Sequence, residues 1–430
     1  MIPSKDDKIV IVGAGCFGMS TTYHLLKRGF TDITVLERSD VLPAVDGSSN
    51  DFNRIVRSSY SDSFYAKLAC DAIQTWKTDM YKDAYHECGV LVVGSNGQSS
   101  YKDAAFGHDK AMGLDLSDLP TPEALQSSLP KDIGAGTFEG YTGYLNRNGG
   151  WAMASQGLEL LTEEARTLGA KILTGKTVGQ LIRKDGQTKG VICTDGSTYE
   201  ASLVVLATGA WTGSAFNADL DCTPMCTATG QSVAMVQLTE EEAVQYRKCP
   251  VVLDFSSGFY VFPPNAKNVV KMAIHNVGVT NKGNAKASTP RTIITHPVDG
   301  LAIPKISARA LRAGLRKVYP ALAERPFVAT RLCWYNDTPD GDWLIGRSPA
   351  DPGLLFATGD SGHAYKFLPV IGGLVADAVQ GTLSPELTRK FAVDRVWGPP
   401  DASREGYAEG ALEIDPEDLI KTAEDLLPDA

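Results

Sequence analysis

Residues 8–12 read Lys-Ile-Val-Ile-Val, and this β-branched run ends at once in Gly13-Ala-Gly15-Cys-Phe-Gly18, followed by Met19-Ser-Thr-Thr-Tyr-His-Leu-Leu-Lys-Arg-Gly29. That order predicts a buried strand, a tight turn and a helix, and no other feature of the chain restricts the fold as strongly. Each glycine has a mechanical reason at this spacing. Gly13 makes the turn, Gly15 lets the backbone approach a pyrophosphate, and Gly18 lets the helix pack on the strand. A second run, Asp32-Ile-Thr-Val-Leu36, follows Gly29 and stops at Glu37. A carboxylate about twenty residues past such a motif accepts ribose hydroxyls and argues against a 2′-phosphate. The unit predicts dinucleotide binding by Gly13, Ala14, Gly15, Cys16, Phe17 and Gly18, with Glu37 and the adjoining Arg38 beside the ribose.

One nucleotide fold does not say which nucleotide. Further along, Ala201-Ser-Leu-Val-Val-Leu-Ala-Thr-Gly209-Ala-Trp211 reads as a buried strand running into another glycine turn, as strands end against the flavin nucleotide in flavoproteins with two dinucleotide folds. Gly209 and Trp211 therefore join the candidate cofactor residues. Before them, Leu158, Leu161, Ala165 and Leu168 have helical spacing within 157–168, and 171–174, 177–182 and 190–194 read as short strands. A βαβ unit at the start and a second nucleotide-fold piece far downstream predict an FAD domain split by an insertion. The chain's 430 residues leave room for it and for more than one packed core. Its 42 glycines exceed the roughly 30 expected on average, as backbone held close to a ligand requires.

The same sequence excludes several function classes. With 51 acidic and 41 basic residues the formal net charge is −10, and no local basic patch offsets it, so nucleic acid is not an expected partner. Gly13 and Gly15 interrupt the first apolar run before it reaches signal-peptide length, and nowhere do about 18 apolar residues follow one another. A cytoplasmic protein without a membrane anchor is the expectation, and the ending Pro-Asp-Ala is not the peroxisomal Ser-Lys-Leu. The eight cysteines are scattered, and only Cys222 and Cys226 lie close together. No metal site is expected, and apart from Cys333 they read as small buried thiols. From Asp401 on, ten acids against two basic residues predict a solvated acidic tail over 401–430.

Residues 330–373 read Thr-Arg-Leu-Cys333-Trp-Tyr335-Asn-Asp-Thr-Pro-Asp-Gly-Asp-Trp-Leu-Ile-Gly, a spacer, then Leu-Leu-Phe-Ala-Thr-Gly359-Asp-Ser-Gly362-His363-Ala-Tyr365-Lys366-Phe-Leu-Pro-Val-Ile-Gly-Gly. Further pieces are Gly47-Ser48-Ser-Asn-Asp-Phe-Asn53-Arg54-Ile-Val-Arg57-Ser-Ser-Tyr60, Gly258-Phe-Tyr260-Val-Phe-Pro263 and Lys271-Met-Ala-Ile-His275. Together with the glycine motif they resemble the monomeric sarcosine oxidase family of flavoprotein amine oxidases. Within it they look most like the fungal branch of L-pipecolate, saccharopine and fructosyl amino acid oxidases. The resemblance runs from about residue 8 to about residue 395.

What the resemblance implies can be stated residue by residue. Cys333 matches the cysteine that carries FAD as a thioether at its 8α-methyl. Lys271 matches the lysine under the flavin N5 edge that promotes reaction with O2, where a fixed cation stabilises the developing superoxide. Arg57 and Lys366 match the two cations that clamp the substrate carboxylate, and Arg54 the arginine over the flavin ring. Tyr260, His275, Tyr335 and His363 match residues that line the cavity or contact the flavin. None of these four is obligatory as a base, because the family oxidises a neutral secondary amine whose reactive form the site selects. Ser48, Asn53, Arg54, Gly359, Gly362, His363 and Lys366 complete the expected FAD contacts.

These readings combine into an α/β, two-domain FAD-dependent oxidoreductase in which a Rossmann-like FAD domain (1–86, 147–219 and 325–400) is interleaved with a β-sheet substrate domain (87–146 and 220–324). Ser232–Leu238 and Val269–Ile274 alternate as half-buried strands of that second sheet do. The expected activity is oxidation of the C–N bond of an N-substituted amino acid to an imine that hydrolyses, with O2 reduced to H2O2, by a monomer whose partners are a small amino acid and O2. Fructosyl amino acid oxidases show Ala-Gly-Asn-Asp-Val-Asn-Lys at the first stretch and Cys-Asp-Glu-His-Pro-Gly after the active-site lysine. Here Asn53-Arg-Ile-Val-Arg-Ser and Lys271-Met-Ala-Ile-His-Asn stand instead, which favours L-pipecolate or sarcosine. Fructosyl amino acids and saccharopine are the alternatives, and a flavin dehydrogenase with a protein electron acceptor is the rival from another class.

Overall fold

A computed structural model describes residues 2–97, 100–216, 219–400, 402–404 and 410–428. In it Ile9–Val12 is a strand, Cys16–Lys27 a helix and Ile33–Leu36 the next, parallel strand. They belong to a six-stranded sheet in the order Leu344–Ser348, Asp351–Thr358, Leu203–Leu206, Ile9–Val12, Ile33–Leu36, Lys171–Leu173. The pairing is parallel except for the first two strands.

Strand Ile9–Val12 is buried on both faces, which is why it reads as an unbroken apolar run rather than an alternating one. Ile9 and Ile11 pack with residues of the helices Cys16–Lys27, Ala154–Thr167 and Ile371–Gln380. Val10 and Val12 face a three-stranded antiparallel sheet, Val178–Lys184, Gln187–Cys193 and Thr198–Glu200, through Val178, Leu181 and Val191. The turn between strand and helix needs its glycines. Gly13 has φ +104°, and a Cβ on Gly18 would stand 1.9 Å from the Gly13 carbonyl oxygen.

A larger sheet follows the path Leu412–Glu413, Val279–Thr280, Thr227–Gln237, Val269–Ile274, Phe259–Val261, Val251–Asp254, Val90–Ser95, Tyr141–Asn146, Leu116–Leu119, and Ala329–Asp337 pairs antiparallel with Thr227–Gln237. Thr227–Gln237 and Val269–Ile274 are strands, but not half-buried ones: nearly every residue is buried. The alternation is between two interiors. Ala234, Val236, Val270 and Met272 pack with helix Lys305–Val318 through Leu311 and Leu315. Val233, Met235 and Ala273 pack on the other face with Cys333 and Tyr335.

Every strand of the six-stranded sheet comes from 1–86, 147–219 or 325–400, and most of the large sheet from 87–146 and 220–324. One strand crosses that division. Ala329–Asp337, expected with the FAD domain, pairs along nine residues with Thr227–Gln237, placing Gln231 opposite Cys333.

The expected solvated tail is corrected in part: most of residues 410–428 are exposed, but a few anchor the segment to the body of the protein. Leu412–Glu413 pairs parallel with Val279–Thr280, Leu419 and Ile420 are buried, and Arg404 is 4% exposed with its guanidinium 2.8 Å from the Asp337 carboxylate. Apolar residues set among the acids explain this, because a charge count ignores Ile414, Leu419 and Ile420, which join the core under the large sheet. Residues 401, 405–409 and 429–430 of that segment, Asp401 included, lie outside the described residues. All eight cysteines are free, and Cys70 and Cys88 are only half-buried rather than buried. No described helix is long and apolar enough to cross a membrane, and no group of three or more His, Cys, Asp or Glu among the described residues could hold a metal ion.

A candidate active site where two cavities meet

The carboxyl ends of Ile9–Val12, Ile33–Leu36 and Leu203–Leu206 open into a cleft of about 750 Å³, the place where open α/β sheets bind nucleotides. Gly13, Ala14, Gly15, Cys16 and Phe17 line it from the first turn. Glu37 and Arg38 line it from the end of the second strand, and Gly209 and Trp211 from the turn after the third. Ser48, Arg54, Cys333, Tyr335 and Gly362 line its far end. Five expected contacts are elsewhere. Gly18 is consumed in the helix–strand contact, Gly359 packs on Thr338 and Leu344, and His363 and Lys366 line only the smaller cavity described below. Asn53 is fully buried, lines neither cavity, and leaves both amide atoms without a partner.

The donor set fits a dinucleotide. A Cβ on Gly15 would meet only the Ser49 hydroxyl at 3.4 Å, so the backbone there is open to close approach. Glu37 accepts from the Ala14 amide at 2.9 Å and from the Ser39 amide, which fixes its carboxylate at the strand end. Arg38 is held by Asp46 at 2.6 Å and lies 4.3 Å over the Trp211 ring, making a flat wall on one side of the cleft. FAD fits these residues.

A second cavity, of about 70 Å³, adjoins the far end. Arg54, Cys333, Tyr335, Gly362 and Tyr365 line both, and Arg57, Tyr260, His275, His363 and Lys366 line only the second. Gly362 has φ +72°, and a Cβ on it would enter the Tyr335 ring at 2.1 Å, so the close approach of these two segments requires glycine.

Charge at this junction is arranged around a carboxylate that sequence reasoning missed. Asp51 pairs with Arg54 and, at 2.8 Å, with Lys271. Both Asp51 and Lys271 have side chains only 1% exposed. The Arg54 and Lys271 cations overcome the burial penalty and hold the Asp51 carboxyl far below the usual carboxylate range. Burial, with repulsion from Arg54, pulls the Lys271 ammonium down to about 8, while Asp51 holds it up. Lys271 also donates to the Asn53 carbonyl at 2.9 Å and lines neither cavity, so its cation stands behind the wall rather than in it. Arg54 donates to the Cys333 sulfur at 3.1 Å. The signal for Asp51 was present as an acid three residues before an arginine.

The remaining cations face the small cavity. Lys366 Nζ donates to the Tyr60 hydroxyl at 2.8 Å and to the His363 carbonyl at 2.7 Å. His363 Nε2 is 3.0 Å from the Gly341 carbonyl, which can only accept, so Nε2 carries the proton and Nδ1 accepts from the Tyr60 hydroxyl at 3.1 Å. Both ring nitrogens are thereby used within the protein, which leaves His363 no lone pair for proton abstraction. Burial first, then the neighbouring cations, keep His275 and His363 far below the ordinary imidazole range, so both are neutral at pH 7. Burial pushes the Tyr260 phenol up to about 12. Arg57 lies 4.5 Å over the Tyr60 ring and donates to the Ser59 carbonyl.

Other lining residues escaped the sequence. Asp360 lines the large cleft, where burial pushes its carboxyl up to about 7 against the pull of the Gly362 and Asn336 amides. Ser403 lines the small cavity from the segment expected to be solvated, and no local pattern announced it.

Comparison with known proteins gives concordant results. A family model described as DAO, FAD dependent oxidoreductase, matches residues 8–378. The L-saccharopine oxidase of Schizosaccharomyces pombe is 31% identical over 405 residues, covering 88% of this chain and 91% of its own. A monomeric sarcosine oxidase of Arthrobacter is 26% identical, covering 91% and 97%. Among solved structures, the fructosamine oxidase Amadoriase II of Aspergillus fumigatus superposes with a TM-score of 0.82 at 28% identity, covering 97% of both chains.

Proposed function

Because the chain belongs to the FAD dependent oxidoreductase family, we propose that it oxidises the C–N bond of a small N-substituted amino acid, L-pipecolate or sarcosine in type, with O2 as the electron acceptor. The observation that carries this reading is the junction itself. A dinucleotide-sized cleft and a small cavity share Arg54, Cys333, Tyr335 and Gly362. The smaller one is lined by three cations, and no carboxylate is among its described lining residues.

FAD supplies the two-electron acceptor and, once reduced, the donor to oxygen. The chain's residues do the rest. Gly13 to Phe17 present backbone to the pyrophosphate, Glu37 takes the ribose hydroxyls, and Arg38 with Trp211 walls the nucleotide. Arg57 and Lys366 clamp the substrate carboxylate, where a buried charge-assisted pair selects strongly. The surrounding cations disfavour a further positive charge, so they lower the pKa of the bound amine and select its neutral form. No side chain is needed as a base, consistent with neutral His275 and a His363 whose nitrogens are both engaged. Lys271 and Arg54 supply the fixed positive potential that favours electron transfer to oxygen.

Two cysteines line the cleft, and their surroundings differ. Burial first, then Asp360, raises the Cys16 thiol against a smaller pull from Lys366, and its sulfur faces the Ala364 carbonyl, so its thiolate is disfavoured. Cys333 receives a guanidinium N–H and lines both cavities, which supports it as the covalent attachment point.

A volume of about 70 Å³ favours small substrates. The likeness to a saccharopine oxidase supports a second reading, a longer N-substituted amino acid whose extra carboxylates meet the same cations. Peroxide release from sarcosine, L-pipecolate, saccharopine, fructosyl-glycine and fructosyl-lysine separates them. Highest kcat/KM on the first two supports the proposal; preference for saccharopine favours the second reading; turnover only with fructosyl compounds overturns both.

A further inference from the structure

Asp109 lies in the last turn of helix Ser100–Ala111, is fully buried, lines neither cavity, and plays no part in the chemistry above. Four donors converge on its carboxylate: the Ser58 hydroxyl at 2.7 Å, Asn146 Nδ2 at 3.0 Å, the Tyr144 hydroxyl at 3.2 Å and the Ser59 hydroxyl at 3.3 Å. All four residues are no more than 1% exposed. The preceding residue grips the same stretch, since His108 Nδ1 is 3.0 Å from the Tyr60 carbonyl and must donate to it.

Residues 58–60 are the stretch on which both proposed carboxylate clamps are referenced. Arg57 precedes it and donates back to the Ser59 carbonyl, while Lys366 is held by the Tyr60 hydroxyl. We propose that His108 and Asp109 are positioning residues for the substrate-carboxylate site, fixing Ser58–Tyr60 so that Arg57 and Lys366 are set at their separation before substrate arrives. This rests on the functional reading above and deepens it. Four donors on one acceptor-only group exceed what a packing contact needs, and they come from both the loop and the strand Tyr141–Asn146. A long arginine loses rotamer freedom when it binds an anion, so holding it in advance is where affinity is gained.

The test uses the holoenzyme and two isosteric probes, 2-furoate and its uncharged amide, 2-furamide, titrated through the flavin absorbance. In Asp109→Asn, 2-furoate is expected to bind about tenfold more weakly while 2-furamide is unchanged, because only the anion uses the clamp. KM for the amino acid substrate rises by a similar factor and kcat stays within about twofold. Ser58→Ala removes the hydroxyl's bond to Asp109 and the one it accepts from Asn146, His108→Phe removes the bond to the Tyr60 carbonyl, and both serve if Asp109→Asn does not fold; each is expected to weaken 2-furoate by about threefold. Unchanged 2-furoate binding in folded variants, or equal weakening of both probes, overturns the inference. The titration needs no turnover, so a protein that oxidises none of the amines fails the functional reading without deciding this one.

Discussion

Lys271 carries a buried charge that titrates within the working range of an enzyme, and the sign of its effect follows. Its ammonium is depressed to about 8, so below that pH the cation is present and above it the cation is lost. The rate constant of the reduced enzyme with O2 is therefore expected to fall as pH rises through about 8, measured by stopped-flow mixing with oxygen. Lys271→Met leaves Asp51 paired with Arg54 and is expected to slow that reaction by about a hundredfold or more while sparing anaerobic reduction. An unchanged oxygen rate favours the dehydrogenase reading instead. For Cys333, acid precipitation of the parent protein is expected to bring down yellow flavin, and of Cys333→Ala to leave it in the supernatant. At this scale the sequence pattern found the cations and the thiol but not their counter-charge. Asp51 stands three residues before Arg54, a local hint, but its pairing with Lys271 and that of Asp360 with the Asn336 amide join distant stretches, which leaves no local periodicity.

Among elements, the nucleotide unit was legible because its constraints are local. A strand covered on both faces is a continuous β-branched run, and the glycines record a turn and a backbone contact that no side chain tolerates. Gly18→Ala is expected to lower stability by roughly 1–3 kcal/mol, since the new methyl meets the Gly13 carbonyl. Differential scanning calorimetry should show a lower Tm, and absorbance a lower flavin content. Strand Ala329–Asp337, expected within the FAD-domain stretch 325–400, pairs with Thr227–Gln237 of the large sheet, because the partner of a strand is not written in its own pattern. Thr227–Gln237 and Val269–Ile274 showed the right period, but periodicity distinguishes two faces without saying that both are covered.

The whole molecule depends on chain that composition assigned to solvent. The C-terminal segment adds the edge pairing of Leu412–Glu413, buries Leu419 and Ile420, and brings Ser403 to the small cavity with Arg404 on Asp337. Truncation after Pro400 is expected to lower Tm and to raise KM for the amino acid several-fold, because it removes both core contacts and a wall of the cavity. An unaltered KM in a folded truncation would show that this segment only stabilises. Amine oxidation with O2 as the acceptor is read out by mixing the protein with L-pipecolate or sarcosine first without and then with air. Bleaching of the flavin absorbance is expected under anaerobic conditions, with its return on admitting oxygen and one H2O2 formed for each amine oxidised. Bleaching that persists in air, or no bleaching with any secondary amino acid, would contradict that activity.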